Sequence, residues 1–227
     1  MKSRPLTAIK SKLVSDRSRV RRIPFGLFKG QRLDINFRFQ SQIYFGLCER
    51  ETYGVIRRAS QNAEWFVDVG AGRGELCILF AALPRVHRLV AIEPNDIEIA
   101  SMLANLRHNN IGGDRVEILV KFAGTKRDVS YIELDQLDLN KSARGFIKID
   151  VDGAEFDVLQ SGKRLFAEGN VEVLVETHSS ELEKICIEWL QAYGYSCEII
   201  ENAWWRRLIP EQRPIPHNRW LFATRPL

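Results

Sequence analysis

The sequence predicts an α/β fold with a doubly wound, mostly parallel sheet. Three observations predict it. Short apolar runs at 65–69 and 88–92 are nearly continuous rather than alternating, and 171–177 centres on Val173-Leu174-Val175. Stretches of helical period separate them. A glycine cluster, Gly70-Ala71-Gly72-Arg73-Gly74, follows the first run directly. Continuous apolar strands are buried on both faces, as in a sheet covered by helices, whereas half-exposed strands alternate. The 227 residues suffice for one ordinary domain, and 45% hydrophobic with 27% charged residues excludes wholesale disorder and fibrous repeats. No run reaches the ~18 uninterrupted apolar residues of a membrane span.

The elements follow in order. Residues 41–60 have helical spacing, with Ile43, Leu47, Val55 and Ile56 facing inward. Residues 65–69 form a strand stopped by the glycines. A helix over 75–83 ends at Pro84, which has no N–H to donate. The second strand, 88–92, closes on Glu93-Pro94, and a helix over 96–109 runs into a Gly112-Gly113 turn. Strands are expected at 116–120 and 146–151, a helix at 153–162, and a fifth strand at 171–177. Leu182, Ile185, Ile187, Trp189 and Leu190 mark a packed helix over 181–193 that ends at Gly194. Strands at 195–200 and 220–224 bring the sheet to seven.

Charge divides the chain. Residues 1–38 hold eleven Lys or Arg against Asp16 and Asp34, a net of +9; the whole chain is +4, so the remainder carries −5. Residues 1–40 are thus read as a basic N-terminal extension and 41–227 as the domain. Leu6, Ile9, Leu13 and Val20 fall near helical spacing among cations, which predicts a short interfacial helix. Such an arm suits an anionic partner, either a lipid surface or a nucleic acid, and its plain alternative is a solvated extension. Cys48, Cys77, Cys186 and Cys197 form no CxxC pair, and no apolar segment follows Met1–Pro5. The expectation is a cytoplasmic protein with free thiols, with peripheral attachment to a membrane surface as a further option.

The glycine cluster carries the chemistry. A turn of this kind lets the backbone reverse sharply and approach a ligand. A dinucleotide fingerprint would place its third glycine at position 75, where this chain has Glu75, an acid that would repel a pyrophosphate. The run Asp68-x-Gly70-x-Gly72-x-Gly74 instead resembles the first motif of class I S-adenosylmethionine-dependent methyltransferases, whose ligand carries a cationic sulfonium. Glu93 closes the second strand, where an acid can accept hydrogen bonds from both ribose hydroxyls. Asp68, Gly70, Ala71, Gly72, Gly74, Glu93, Pro94 and Asn95 are therefore the candidate cofactor-binding residues, with S-adenosylmethionine as the cofactor.

A third segment runs Gly145-Phe146-Ile147-Lys148-Ile149-Asp150-Val151-Asp152-Gly153-Ala154-Glu155. A lysine inside an apolar strand is costly unless paired, and Asp68, Asp150 and Glu176 are its expected partners. Together with Glu176-Thr177-His178 and Leu134-Asp135-Gln136-Leu137, this segment resembles the FkbM-type methyltransferase family over about 65–178, with Asp152 standing where that family more often has glutamate. The resemblance implies a Rossmann-like sheet whose last strand is antiparallel, and O-methylation of a hydroxyl on a glycan, glycolipid or secondary metabolite.

A neutral hydroxyl needs a group to take its proton, and open α/β sheets bind ligands at strand carboxyl ends. Asp150, Glu176 and His178 are the catalytic candidates there, with Asp152 and Glu155 beside them. Asp152, Glu176 and His178 form a candidate Mg²⁺ set, and an ion-pair network around Lys148 is the metal-free alternative. The position that carries an Asn/Asp-Pro-Pro-aromatic motif in amine-directed enzymes holds Asp150-Val151-Asp152-Gly153, which disfavours an exocyclic amine. The alternatives are an RNA-directed methyltransferase that uses the basic arm and a non-catalytic S-adenosylmethionine-binding module. Trp204-Trp205-Arg206-Arg207 could stack on sugars or bases, or cover an apolar sheet edge.

Overall fold

A computed structural model describes residues 16–207, 217 and 219–225. Strands β1 (Arg19–Arg22) and β2 (Arg32–Ile35) form an antiparallel hairpin, followed by helices α1 (Phe37–Tyr44) and α2 (Tyr53–Asn62). Then come β3 (Trp65–Val69), α3 (Glu75–Ala81), β4 (Arg88–Ile92), α4 (Asp96–His108) and β5 (Glu117–Leu119). A two-residue pair, β6 (Phe122–Ala123) with β7 (Tyr131–Ile132), precedes β8 (Gly145–Ile149), α5 (Glu155–Gln160) and α6 (Lys163–Glu168). The described chain ends with β9 (Val171–Thr177), α7 (Ser180–Ala192), β10 (Ser196–Ile200) and β11 (Arg219–Thr224).

The central sheet has seven strands in the order β10-β11-β9-β8-β3-β4-β5. All run parallel except β11, which pairs antiparallel with both β9 and β10. After β3 the chain winds outward through β4 and β5, then crosses back to build β8 and β9 on the other side. The crevice above β3 and β8 is therefore the topological switch point, where such sheets hold ligands. Strands β3, β8 and β9 are buried along their whole length, as their continuous apolar runs require. On one face Phe66, Phe80 and Phe146 stack, with the Phe66–Phe80 centroids 3.9 Å apart. On the other, Val158, Leu165, Phe166 and Leu190 from α5, α6 and α7 close the second core.

Two expectations change. The helix expected from Leu6 to Val20 is absent from its described part, residues 16–20: residues 19–35 form the hairpin, and Ile23, Leu27, Phe28, Leu33 and Ile35 join the first core. Val20 lies on β1, whose partner alternates Leu33 and Ile35 with Arg32 and Asp34, a period of two that overrides the sparse helical spacing. Leu6, Ile9 and Leu13 lie outside the described residues. The single helix expected over 41–60 is broken between α1 and α2. Gly46 there has φ +66° and lies so close to Gly26 that a Cβ would sit 2.6 Å from the Gly26 Cα. Helix α6 and the pair β6–β7 had no counterpart in the sequence reading.

Candidate active site

The turn after β3 is built by contacts only glycine permits. Gly70 has φ +76°, and a Cβ there would lie 1.9 Å from the carbonyl oxygen of Asp150. Gly74 has φ +78°, with Met102 Cγ 2.5 Å from the same virtual atom. Gly72, at φ +51°, differs: a Cβ on it would meet nothing within 4 Å. Gly70 and Gly74 thus serve packing, whereas Gly72 faces open space that a ligand can enter. The backbone N–H groups of Gly70 and Ala71 donate to Ile92 O at 2.9 and 3.2 Å, binding the turn to the end of β4.

Glu93 is buried at that end and clamps two loops. Its Oε2 accepts from Gly72 N at 2.9 Å and its Oε1 from Asn95 N at 3.0 Å. Each oxygen keeps a further lone pair, so ribose hydroxyls remain within its capacity. Pro94 is half-buried, and the exposed Asn95 caps α4 by accepting from Ile97 N at 2.9 Å.

Asp68 is buried at the mouth of β3 beside Lys148 of β8. Cys77 Sγ donates to its Oδ2 at 3.6 Å, and its Oδ1 has no hydrogen-bond partner among the described residues. Burial pushes the Asp68 carboxyl up to about 7, against the pull of the Lys148 charge. Burial lowers Lys148, but the charges of Asp150, Glu49 and Asp68 outweigh it and hold the ammonium above its ordinary range. Its Nζ donates to Asp150 Oδ2 at 2.9 Å and lies 5.7 Å from the Trp220 ring centre. A cavity of ≈ 90 Å³ opens here, lined by Asp68, Ala71, Glu75 and Lys148 below and by Leu27, Phe28, Ile43, Glu49 and Tyr53 above. Three acids to one lysine, with one buried carboxylate oxygen unpartnered, fit a cationic ligand such as the sulfonium and amine of S-adenosylmethionine.

A second cluster stands at the ends of β8 and β9. One ligand atom each of Asp150, Glu176 and His178 lie within 4.8 Å of one another. Asp152 is the outlier of the expected metal set: its side chain is exposed, with Oδ1 3.5 Å from His178 Nε2. Glu155, fully buried at the start of α5, bonds closely to His178 Nδ1 and accepts from Gly153 N at 3.2 Å. Burial lowers the His178 pKa, but the Glu155 bond and the charges of Glu155, Asp150 and Asp152 outweigh it and raise the ring above its ordinary value.

Sequence reasoning placed Glu155 near the strand ends without its bond to His178. It missed the cavity roof, because Glu49 and Tyr53 belong to no motif. In the late insertion Trp204 is 76% exposed and so does not cover the sheet edge. Arg206 stacks on Trp205 at 4.3 Å and pairs with Glu51 at 2.6 Å, which fastens this insertion to the segment between α1 and α2. Residues 208–216 and 218 of the insertion lie outside the described residues.

A seven-stranded sheet with one antiparallel strand, a glycine turn and an acid closing the second strand define the class I methyltransferase fold. The family model described as the methyltransferase FkbM domain matches residues 118–197. The fold is similar to that of methyltransferase FkbM from Methylobacillus flagellatus KT, at 19% identity and TM-score 0.55 over 80% of this chain and 52% of that one. It is similar to a SAM-dependent O-methyltransferase from Thermotoga maritima, at 17% identity and TM-score 0.53 over 79% and 66%. An rRNA methylase from Streptococcus thermophilus matches at 10% identity and TM-score 0.52 over 79% and 98%. The chain spans about half the length of the first of these and 66% of the second. No curated protein matches the sequence. Residues 118–197 are thus similar to the methyltransferase FkbM domain, and the fold is that of S-adenosylmethionine-dependent methyltransferases.

Proposed function

We propose that this protein transfers the methyl group of S-adenosylmethionine to a hydroxyl of a glycan, glycolipid or secondary metabolite. The observation that carries this reading is the buried Glu155–His178 pair beside Asp150 and Glu176. When bound, the cofactor supplies a methyl carbon activated by positive sulfur. Asp68 in the cavity and Glu93 at the end of β4 bind and orient it, and Leu27, Phe28, Ile43 and Tyr53 give the cavity an apolar wall. Glu155 holds His178 Nδ1, and Nε2, 3.5 Å from the exposed Asp152, receives the acceptor hydroxyl's proton when the ring is neutral, so turnover should rise with pH through the raised His178 value. An alcohol needs such a base, and the neighbouring loop has acids where an amine-directed enzyme would place its aromatic platform.

His178→Ala is expected to lower turnover about 100-fold or more on a hydroxyl acceptor, a typical worth for a general base. Cofactor affinity, measured by calorimetric titration, should stay within about two-fold of wild type, because His178 is held by Glu155 at the end of β9 and bonds to neither Asp68 nor Glu93. Unchanged turnover would remove His178 as the base. A Mg²⁺ ion held by Asp150, Glu176 and His178 is the second reading, supported by their proximity. The bond from Lys148 to Asp150 already supplies a cation there, which favours the metal-free reading. Activity that survives exhaustive chelation decides for it, and activity restored only by Mg²⁺ decides against it.

A further inference from the structure

We propose that the surface of residues 16–45 is a docking face for an anionic phospholipid bilayer. The proposal stands apart from the methyl-transfer reading, because it rests on surface residues alone.

Phe37, Tyr44 and Phe45 form one ring cluster, with centroids 4.8, 5.3 and 6.3 Å apart. The backbone at Gly46, next to Phe45, packs on the backbone of Phe25 and Gly26: a Cβ on Gly46 would lie 2.8 Å from the Phe25 carbonyl carbon. Phe25, Phe39 and Phe45 are 56%, 61% and 50% exposed. Single exposed hydrophobes are ordinary, but three half-exposed phenylalanines within one short segment, one of them in a ring cluster, mark a surface that meets something apolar.

Charge selects the partner. Residues 16–39 hold seven Lys or Arg against Asp16 and Asp34, and Asp16 is already paired with Arg38 at 3.3 Å. Arg19 and Arg22 are exposed on β1. Phenylalanine has no polar handle, and apolar rings bordered by arginines match the acyl boundary and phosphate layer of an anionic bilayer.

Ring geometry argues against stacked nucleobases. Phe45 meets Phe37 and Tyr44 edge-on, at interplanar angles of 64° and 89°. Arg21 lies 4.6 Å over Phe37 and Arg38 5.6 Å over Phe39, so one flat face of each ring is already taken. Leu27, Phe28 and Ile43 of the same segment line the cofactor cavity, so a bilayer at this face lies against the roof of the site. No described helix is long and apolar enough to cross a membrane, and the attachment proposed is to one leaflet surface.

The test is co-sedimentation of the full chain with vesicles of pure phosphatidylcholine and of phosphatidylcholine mixed with phosphatidylglycerol. Binding to the mixed vesicles only, weakened by salt, is expected. Each basic residue near an anionic surface contributes about five-fold in partition. The double variant Arg19→Glu with Arg22→Glu should therefore lose ten-fold or more, and so should Phe39→Ser with Phe45→Ser. All four side chains are solvent-exposed in whole or in half, so both variants should keep the wild-type circular dichroism, and the arginine variant its melting temperature too; Phe45→Ser gives up edge contacts to Phe37 and Tyr44 and should lower the melt by only a few degrees. Equal binding to both vesicle types, no binding, or binding insensitive to the two variants would overturn the proposal. So would displacement from vesicles by single-stranded RNA at lower concentration than by free lipid, or a dimer of this chain that the phenylalanine variant dissociates.

Discussion

Asp68 shows how burial turns a carboxylate into a switch for a cationic ligand. Its carboxyl is raised to about 7 by burial, offset by Lys148. A folded-state pKa above the ordinary 3.8 means that the native protein keeps a proton the unfolded chain has released. Stability from this group is therefore present at low pH and falls as pH rises from about 4 through 7. Binding runs the other way, because the anion attracts the sulfonium and amine. S-adenosylmethionine affinity should rise between pH 6 and 8 and become flat in Asp68→Asn; titrations at several pH values check this, and a slope retained in the variant would place the titrating group elsewhere. Glu93 combines structure with binding. Its two oxygens hold Gly72 N and Asn95 N, and hydrogen bonds to a charged acceptor contribute about 1.5–3 kcal/mol each. Glu93→Ala should lose about 2 kcal/mol or more in urea unfolding besides its cofactor affinity, and an unchanged midpoint would mean that the loops close without it.

At the scale of elements, the glycine turn and β8 form one unit, because the Asp150 carbonyl fills the space a Gly70 side chain would need. Gly70→Ala combines a left-handed backbone with a backbone clash and should cost about 3 kcal/mol or more, read from thermal melts. A melt equal to wild type would show that the two loops can part freely. What was legible in the sequence follows from this kind of locality. Strands β3 and β4 were readable to the residue because burial on both faces writes a nearly continuous apolar run, and β9 was readable from its β-branched and leucine centre, Val171 to Val175, despite Glu172. The glycines and Glu93 were readable because turn and strand end lie within one βαβ unit. The Glu155–His178 bond was not, since its partners stand twenty-three residues apart and meet only after β9 pairs with β8. The break between α1 and α2 was equally hidden, because Gly46 is held by the distant Gly26.

Over the whole molecule, the basic segment reads as an appendage by charge and as core by burial. Arg19, Arg22, Lys29 and Arg32 are exposed, whereas Ile23, Leu27, Phe28, Leu33 and Ile35 are buried in the first core. Asn105 of α4 and Asn109, which caps that helix, accept from the backbone N–H groups of Asp34 and Arg32, both at 2.9 Å, so β2 is also bound through its backbone. Fully burying one such apolar side chain stabilises by about 1.5–3 kcal/mol, and five together rival the whole net stability of a domain, about 5–15 kcal/mol. Deleting residues 1–36 should therefore leave a chain without a cooperative melt, even though every proposed cofactor and catalytic residue remains. Circular dichroism and denaturant unfolding of residues 37–227 test this. A cooperatively folded truncation that still binds S-adenosylmethionine would show that the hairpin only covers a core complete without it. Loss of folding would mean that any loss of partner binding in such a deletion reports a collapsed roof over the cofactor cavity, so the docking face has to be probed by point substitutions on its surface.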